Sequence, residues 1–248
     1  MKIGIITAMP GETGAIIRAL QQTQKMRMGT LAVHRALHSG HEIVVVEAGM
    51  GFTNATTAAR QLFDELRPDL VISAGFCGGI SAELQVGDAV VATGLVIVSE
   101  TGLQGVPVTI SPVCRVFVSR QGDEGSRVFA GLFATTPAIM QKTQLAALLP
   151  TDAPYPVVEM ESAAIALLAG ENGIPFVGLR TVSDPVDEEL GFALYEFCDK
   201  RMRIRIPRVL LTVARKPRII PQLIRLAGNS RVAAASLSQT FKRFLAVM

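Results

Sequence analysis

Tryptophan is absent, tyrosine occurs twice, and the three cysteines, Cys77, Cys114 and Cys198, stand far apart in a chain of 248 residues. Three irregularly spaced cysteines offer neither a disulfide framework nor a zinc-binding spacing, so a reducing compartment, the cytoplasm by default, is expected. No uninterrupted apolar run approaches the roughly 18 residues of a membrane-spanning helix. The apolar N-terminal run is broken by Pro10, Gly11 and Glu12, too early for the core of a signal peptide. A further absence is local: from Lys200 to Met248 there is no Asp or Glu, against 12 Lys and Arg. Residues 1–199 hold 12 basic and 21 acidic side chains, so a body of charge −9 carries a segment of +12. That asymmetry points to an anionic partner for the segment. Phe and Tyr are nearly missing from it, which disfavours a base-stacking platform, and no nucleic acid is expected.

What is present is a core. Hydrophobic residues make up 49% of the chain, enough for one large domain over 1–199 with a basic, amphipathic helical extension over 200–248. Apolar runs alternate with stretches of helical spacing. Strands are expected over 2–8, 69–74, 89–93, 128–134, 156–161 and 175–182, with a hairpin of 31–37 and 42–47 turning at Ser39-Gly40-His41. Helices are expected over 12–20, from the Gly49-Met50-Gly51 turn to Leu66, up to Leu149, and from Ser162 to Glu171. This is an α/β pattern: three layers, with a twisted, mostly parallel central sheet flanked by helices. The stretch 94–126 reads as a flap or hairpin. In the extension, Pro207, Pro217 and Pro221 punctuate short segments, and a final helix is expected over about 230–247.

Charge at strand ends is the chemical signal. Val157-Val-Glu-Met-Glu-Ser162 puts two carboxylates and a methionine where an apolar strand meets an Ala- and Leu-rich helix, and the strand from Pro175 ends in Arg180-Thr-Val-Ser-Asp184. Glu12 follows the first strand, at the rim where open α/β sheets hold ligands; an acid favoured by the helix dipole is the plainer reading. Gly75-Phe-Cys-Gly-Gly79 is either an ordinary strand-ending turn or a backbone able to approach a ligand, with Phe76 as a pocket wall. His34, His38 and His41 crowd the hairpin with one carboxylate, Glu42, close by, so no metal site is expected. Several carboxylates around one cleft suit acid/base cleavage of a glycosidic bond, one protonated for the leaving group and another activating water. A third can accept from vicinal hydroxyls, and methionine offers a soft surface to a sugar ring.

Met1 to Glu12, the Gly75–Gly79 turn with Gly87-Asp88, Val158-Glu-Met-Glu161 and Arg180-Thr-Val-Ser-Asp184 together resemble the purine nucleoside phosphorylase and methylthioadenosine/S-adenosylhomocysteine nucleosidase superfamily, over about residues 1–190. The resemblance implies that Asp184, oriented by Ser183, protonates the imidazole-side nitrogen of a purine. It implies that Glu161 binds the ribose hydroxyls, that Met160 packs on the sugar, and that Glu12, with Arg180 nearby, activates water. Ala138 to Met140, hence Ile139 and Met140, would contact the base beside Gly75 and Phe76. Phosphorylases of this type carry an Arg and a Ser where this chain has Ser73 and Phe76, which favours hydrolysis over phosphorolysis, since an unpaired buried phosphate is costly. Thr135-Thr136-Pro137 also departs from the nucleosidase pattern.

The extension has two plain readings, a packed helix with a solvated basic face or an oligomer contact, and a sharper one, an element lying on anionic lipid. The sharper reading is similar to the hopanoid-associated branch of the superfamily, whose implied substrate is adenosylhopane. The expectation is therefore a homo-oligomeric hydrolase releasing adenine from a 5′-substituted adenine nucleoside, with adenosylhopane favoured and no cofactor or metal. The alternatives are a methylthioadenosine/S-adenosylhomocysteine or futalosine nucleosidase, a phosphate-dependent phosphorylase, and a membrane-docked nucleoside-binding protein without catalysis. The joint presence of Glu12 and Asp184 argues against the last.

Overall fold

The computed structural model describes residues 1–20, 22–29, 31–120, 127–188, 197 and 206–248. The expected 199/200 boundary, Cys198 and the end of the 94–126 stretch lie outside these residues.

The N-terminal apolar run forms β1 (Lys2–Thr7) and leads through α1 (Pro10–Leu20) to β2 (Gln24–Met28), β3 (Leu31–His38) and β4 (His41–Glu47). Then come α2 (Phe52–Leu66), β5 (Leu70–Gly79), β6 (Ala89–Ser99), β7 (Gly102–Gly105), α3 (Val113–Ser119), β8 (Val128–Thr135) and α4 (Lys142–Leu148). Next are β9 (Val157–Glu159), α5 (Ser162–Glu171) and β10 (Phe176–Asp184), and after residues not described, α6 (Ile206–Arg215) and α7 (Ile220–Leu245). The expected α/β layering is present. β1 runs parallel to β4 and β5, and β5 parallel to β10. Strands buried on both faces explain why they read as continuous apolar runs. β5, β10, β6, β8 and β9 close into a ring, while β1, β4, β3 and β2 fan out from β5. Antiparallel pairings occur at β2–β3–β4, β5–β9, β6–β10 and the β6–β7 hairpin, so the sheet is mixed.

Two apolar layers cover the sheet. On one side Ala58, Leu62 and Phe63 of α2 and Ile165 and Ala169 of α5 pack with Ile6, Val44 and Val46. On the other, Ala15 and Ile16 of α1 and Leu237, Phe241 and Phe244 of α7 pack with Ile3, Ile5 and Ile72. α7 is bound further by a hydrogen bond from the Thr181 hydroxyl to the Ala233 carbonyl, 3.0 Å, and one from Ser236 to the Gly87 carbonyl. Its second half is thus core, while Ile224 and Val232 of its first half are 68% and 52% exposed. No helix among the described residues is long and apolar enough to cross a membrane.

Three local expectations need correction. The Gly75–Gly79 run is not a strand-ending turn: β5 continues through Gly79. A side chain would not fit there, because a Cβ on Gly75 would lie 2.5 Å from Glu12 Oε1 and against the Arg180 guanidinium, and one on Gly78 would lie 2.8 Å from Asp184 Oδ2. Glycine within a strand marks such close approach. Pro221 does not separate two segments; it occupies the first turn of the single helix α7, where its missing N–H costs nothing. The edge strand β2, exposed along most of its length, has no apolar alternation to announce it.

Candidate active site

The carboxyl ends of β1, β5 and β10, the end of β9 and the segment before α4 surround a cavity of about 240 Å³. Its wall includes Glu12, Phe76, Met160, Glu161, Ser183 and Asp184, with Ile139 and Met140 at one side. Met9, Met50, Met140 and Met160 make much of the surface thioether, which adapts to irregular apolar ligands. The strand-end residues singled out in the sequence therefore do converge. Two do not reach the cavity. Gly75 lies beneath it, and Arg180 lies behind the carboxylates, 1% exposed.

Glu12 projects from the first turn of α1 and is held by three backbone donors. Its Oε2 accepts from the Ala8 and Met9 N–H groups at 2.8 and 2.9 Å, and its Oε1 from Phe76 N–H at 2.8 Å. Burial pushes its pKa above the ordinary carboxylate value, against the pull of Arg180 and these N–H groups. A carboxylate whose proton affinity is raised is a stronger base, suited to take a proton from water.

Arg180 organises the acids. Its Nη2 is 2.6 Å from Glu159 Oε2 and 3.6 Å from Glu161 Oε2, and it donates to the Ser73 and Ser162 hydroxyls at 3.1 and 3.0 Å. Ser73 and Ser162 are also 3.0 Å apart, so Ser73 is enclosed in a buried network. Glu159, which the sequence leaves without a role, accepts from the N–H groups of Glu161 and Ser162 at 2.9 and 2.7 Å and from the Thr135 hydroxyl. It supports the start of α5 and balances Arg180. Glu161 Oε1 accepts from Gly51 N–H at 2.7 Å, so the Gly49–Gly51 turn spends this donor on a carboxylate of the site. Burial, assisted by Glu159 and Glu12 and opposed by Arg180, raises the Glu161 pKa to about 7.

Asp184, at the end of β10, has both oxygens engaged. Ser183 donates to Oδ1 at 2.7 Å, the orientation expected of that serine. Oδ2 lies 2.7 Å from Lys142 Nζ, a partner no sequence pattern indicated, since Gln-Lys-Thr before a short helix carries no signature. Thr136 was also missed as a site residue: it lines the cavity, and its buried hydroxyl has no partner among the described residues. From the far side, Leu226 and Ser230 of α7 complete the wall. His34 and His38 lie on β3 and His41 on β4, away from the cavity. Among the described residues no group of three His, Cys, Asp or Glu is placed to hold a metal.

A family model described as the phosphorylase superfamily matches residues 2–215. The chain is 30% identical over 216 residues to the 5′-methylthioadenosine/S-adenosylhomocysteine nucleosidase of Actinobacillus succinogenes, an alignment covering 79% of this chain and 91% of that protein. The fold matches, at TM-score 0.76 and 18% identity, a Helicobacter pylori nucleosidase variant with 5′-methylthioadenosine in its active site, covering 100% of this chain and 99% of that one. It matches the native futalosine hydrolase of Helicobacter pylori at TM-score 0.75 and 18% identity, covering 100% and 98%.

Proposed function

The chain belongs to the phosphorylase superfamily, and from that premise we propose that it hydrolyses the N-glycosidic bond of a 5′-substituted adenine nucleoside. The observation that carries this reading is the placement of Glu12, from α1, and Asp184, from the end of β10, on the wall of one cavity that also presents Glu161 and Met160. Glu12 takes a proton from water as its oxygen bonds to C1′. The C1′–N9 electron pair leaves with the purine, which Asp184 protonates on its imidazole side. Glu161 accepts from the ribose hydroxyls, Met160 packs on the sugar, and the Thr136 hydroxyl is free to meet the ligand. Arg180 acts from behind, holding three carboxylates together without touching substrate.

Water rather than phosphate is favoured as acceptor because Ser73 is closed into the Ser162–Arg180 network and Phe76 takes the other expected phosphate position. The relatives' names favour a methylthio- or homocysteinyl-type 5′ group. The test is release of free adenine from 5′-methylthioadenosine and S-adenosylhomocysteine, with and without phosphate. Release without phosphate is expected, with losses of about 100-fold or more in Asp184→Asn and Glu12→Gln. Release that strictly requires phosphate would overturn the hydrolase reading.

One observation favours a second reading of the 5′ group, a lipid such as that of adenosylhopane. Leu211, Ile220, Ile224 and Val232 are exposed among Arg208, Arg215, Lys216, Arg218 and Arg231, and the same α7 brings Leu226 and Ser230 to the cavity. An apolar, cationic surface beside the site suits an anionic bilayer, with each basic residue near the surface worth about 1 kcal/mol. Truncation after Asp199 would also remove Phe241 and Phe244 from the core, so the test uses Leu211→Glu/Ile224→Glu. Wild type should sediment with phosphatidylserine vesicles and the double variant should not; equal sedimentation of both removes the reading.

A further inference from the structure

Lys142 is the first residue of α4, the helix end where the backbone dipole disfavours a cation. It is also only 4% exposed, and lysine is seldom buried without partners. Among the described residues, it is held by the end of β10 and the turn after it. Nζ is 2.7 Å from Asp184 Oδ2 and donates to the carbonyls of Asp184, Pro185 and Glu188 at 3.0, 2.5 and 3.1 Å. These acceptors fix the position of the amino group beside the carboxyl. On the opposite side, Gly78 of β5 leaves room for the pair, since a Cβ there would lie 2.8 Å from Asp184 Oδ2 and 3.1 Å from Lys142 Cε.

Among the described residues, the charged and titratable groups near the pair include Arg180, Glu188 and Cys77. Arg180 is engaged by Glu159 and Glu161. The Glu188 carboxylate is taken by Arg225 and Asn229 of α7, each at 3.0 Å. Cys77 of β5 is buried, and its thiol is pushed well up by that burial.

We infer that Lys142 is a positioning residue that sets the proton affinity of Asp184, and so how readily Asp184 gives its proton to the leaving purine. The inference rests on the proposed nucleosidase reading. When Asp184 gives its proton to the ring nitrogen, the C1′–N9 pair having moved into the purine, a carboxylate is left facing the ammonium and the Ser183 hydroxyl. Charge thus develops where a fixed cation already stands, which stabilises the transition state without reorganisation. An ammonium 2.7 Å from Oδ2 favours the ionised carboxyl over the protonated one, so Lys142 also places the limb of the rate profile that Asp184 sets.

Carbon-13 NMR of the Asp184 carboxyl, assigned by its loss in Asp184→Asn, tests this independently of turnover. Lys142→Met should raise the titration midpoint by about 1–3 pH units, the size of effect an adjacent opposite charge produces, and Lys142→Arg should stay near wild type. The limb of adenine release that coincides with the Asp184 midpoint should move upward in Lys142→Met and return in Lys142→Arg. Should Lys142→Met not fold, Lys142→Gln, which keeps hydrogen bonds to the carbonyls, serves instead. An unmoved midpoint in a folded neutral variant, or equal shifts in the neutral and Arg variants, overturns the inference. A wild type that releases no adenine overturns the nucleosidase reading, and the carboxyl titration still decides the role of Lys142.

Discussion

Replacing Arg180 by methionine removes the cation that Glu159, Glu161 and Glu12 share. The change keeps much of the side-chain volume, so charge dominates the effect. Glu159 loses a partner at 2.6 Å and Glu161 one at 3.6 Å, the first side chain 1% exposed and the second 9%. Breaking a buried pair from one side costs about 3–5 kcal/mol, against a total stability of about 5–15 kcal/mol. At about 2–4 °C per kcal/mol for a chain of this size, melting should fall by roughly 10 °C near neutral pH. The loss should also depend on pH with a defined sign. Burial already holds the pKa values of Glu12 and Glu161 above the ordinary 4.5, with Arg180 opposing the rise. Without Arg180 they climb further, so the folded state binds more protons than the unfolded one, and stability falls as pH rises from about 4.5 through the raised values. Urea unfolding at about pH 8 should show the largest deficit, and at about pH 5 a smaller one. Glu159→Gln added to Arg180→Met should restore part of the loss, as expected of coupled neighbours. A deficit independent of pH, or one below about 1 kcal/mol near pH 8, refutes the reasoning.

Two further outcomes are expected. Because Glu12 must be ionised to take a proton from water and burial raises its pKa, one limb of the kcat/KM profile should lie above the ordinary carboxylate range; a profile with no limb above about pH 4.5 would exclude Glu12 as the base. Phe244 is fully buried and meets the Phe117 ring edge-on at 5.2 Å, so Phe244→Ala should cost about 3–5 kcal/mol in denaturant unfolding, and a loss below about 1 kcal/mol would show that α7 is not part of the core.

The buried strands were legible because a sheet covered on both faces leaves unbroken apolar runs, as over residues 3–6 and 176–179. Glu12, Glu161 and Asp184 were legible because charge at the end of such a run is conspicuous. Lys142 was not, since a lysine at a helix start ordinarily looks solvated and only the return of β10 encloses it. Glu159 was noticed but not placed, because its cation comes from another strand. The continuity of α7 was hidden by Pro221, which reads as a break until its position in the first turn is known.

Two of the three glycines of β5 bear on how this scaffold can change. Arg180 and Glu12 fill the space above Gly75, and Asp184 and Lys142 the space above Gly78. Any route in a mutant library that introduces a side chain at either glycine must first shorten a residue above it. At Gly75 that earlier step removes a charge before a replacement exists, whereas at Gly78 it requires altering Lys142 or the acid beside it. Selection for new chemistry on this rim should therefore accumulate substitutions at Ile139, Met140, Leu226 and Ser230 early, with the glycines changing late or only in combination.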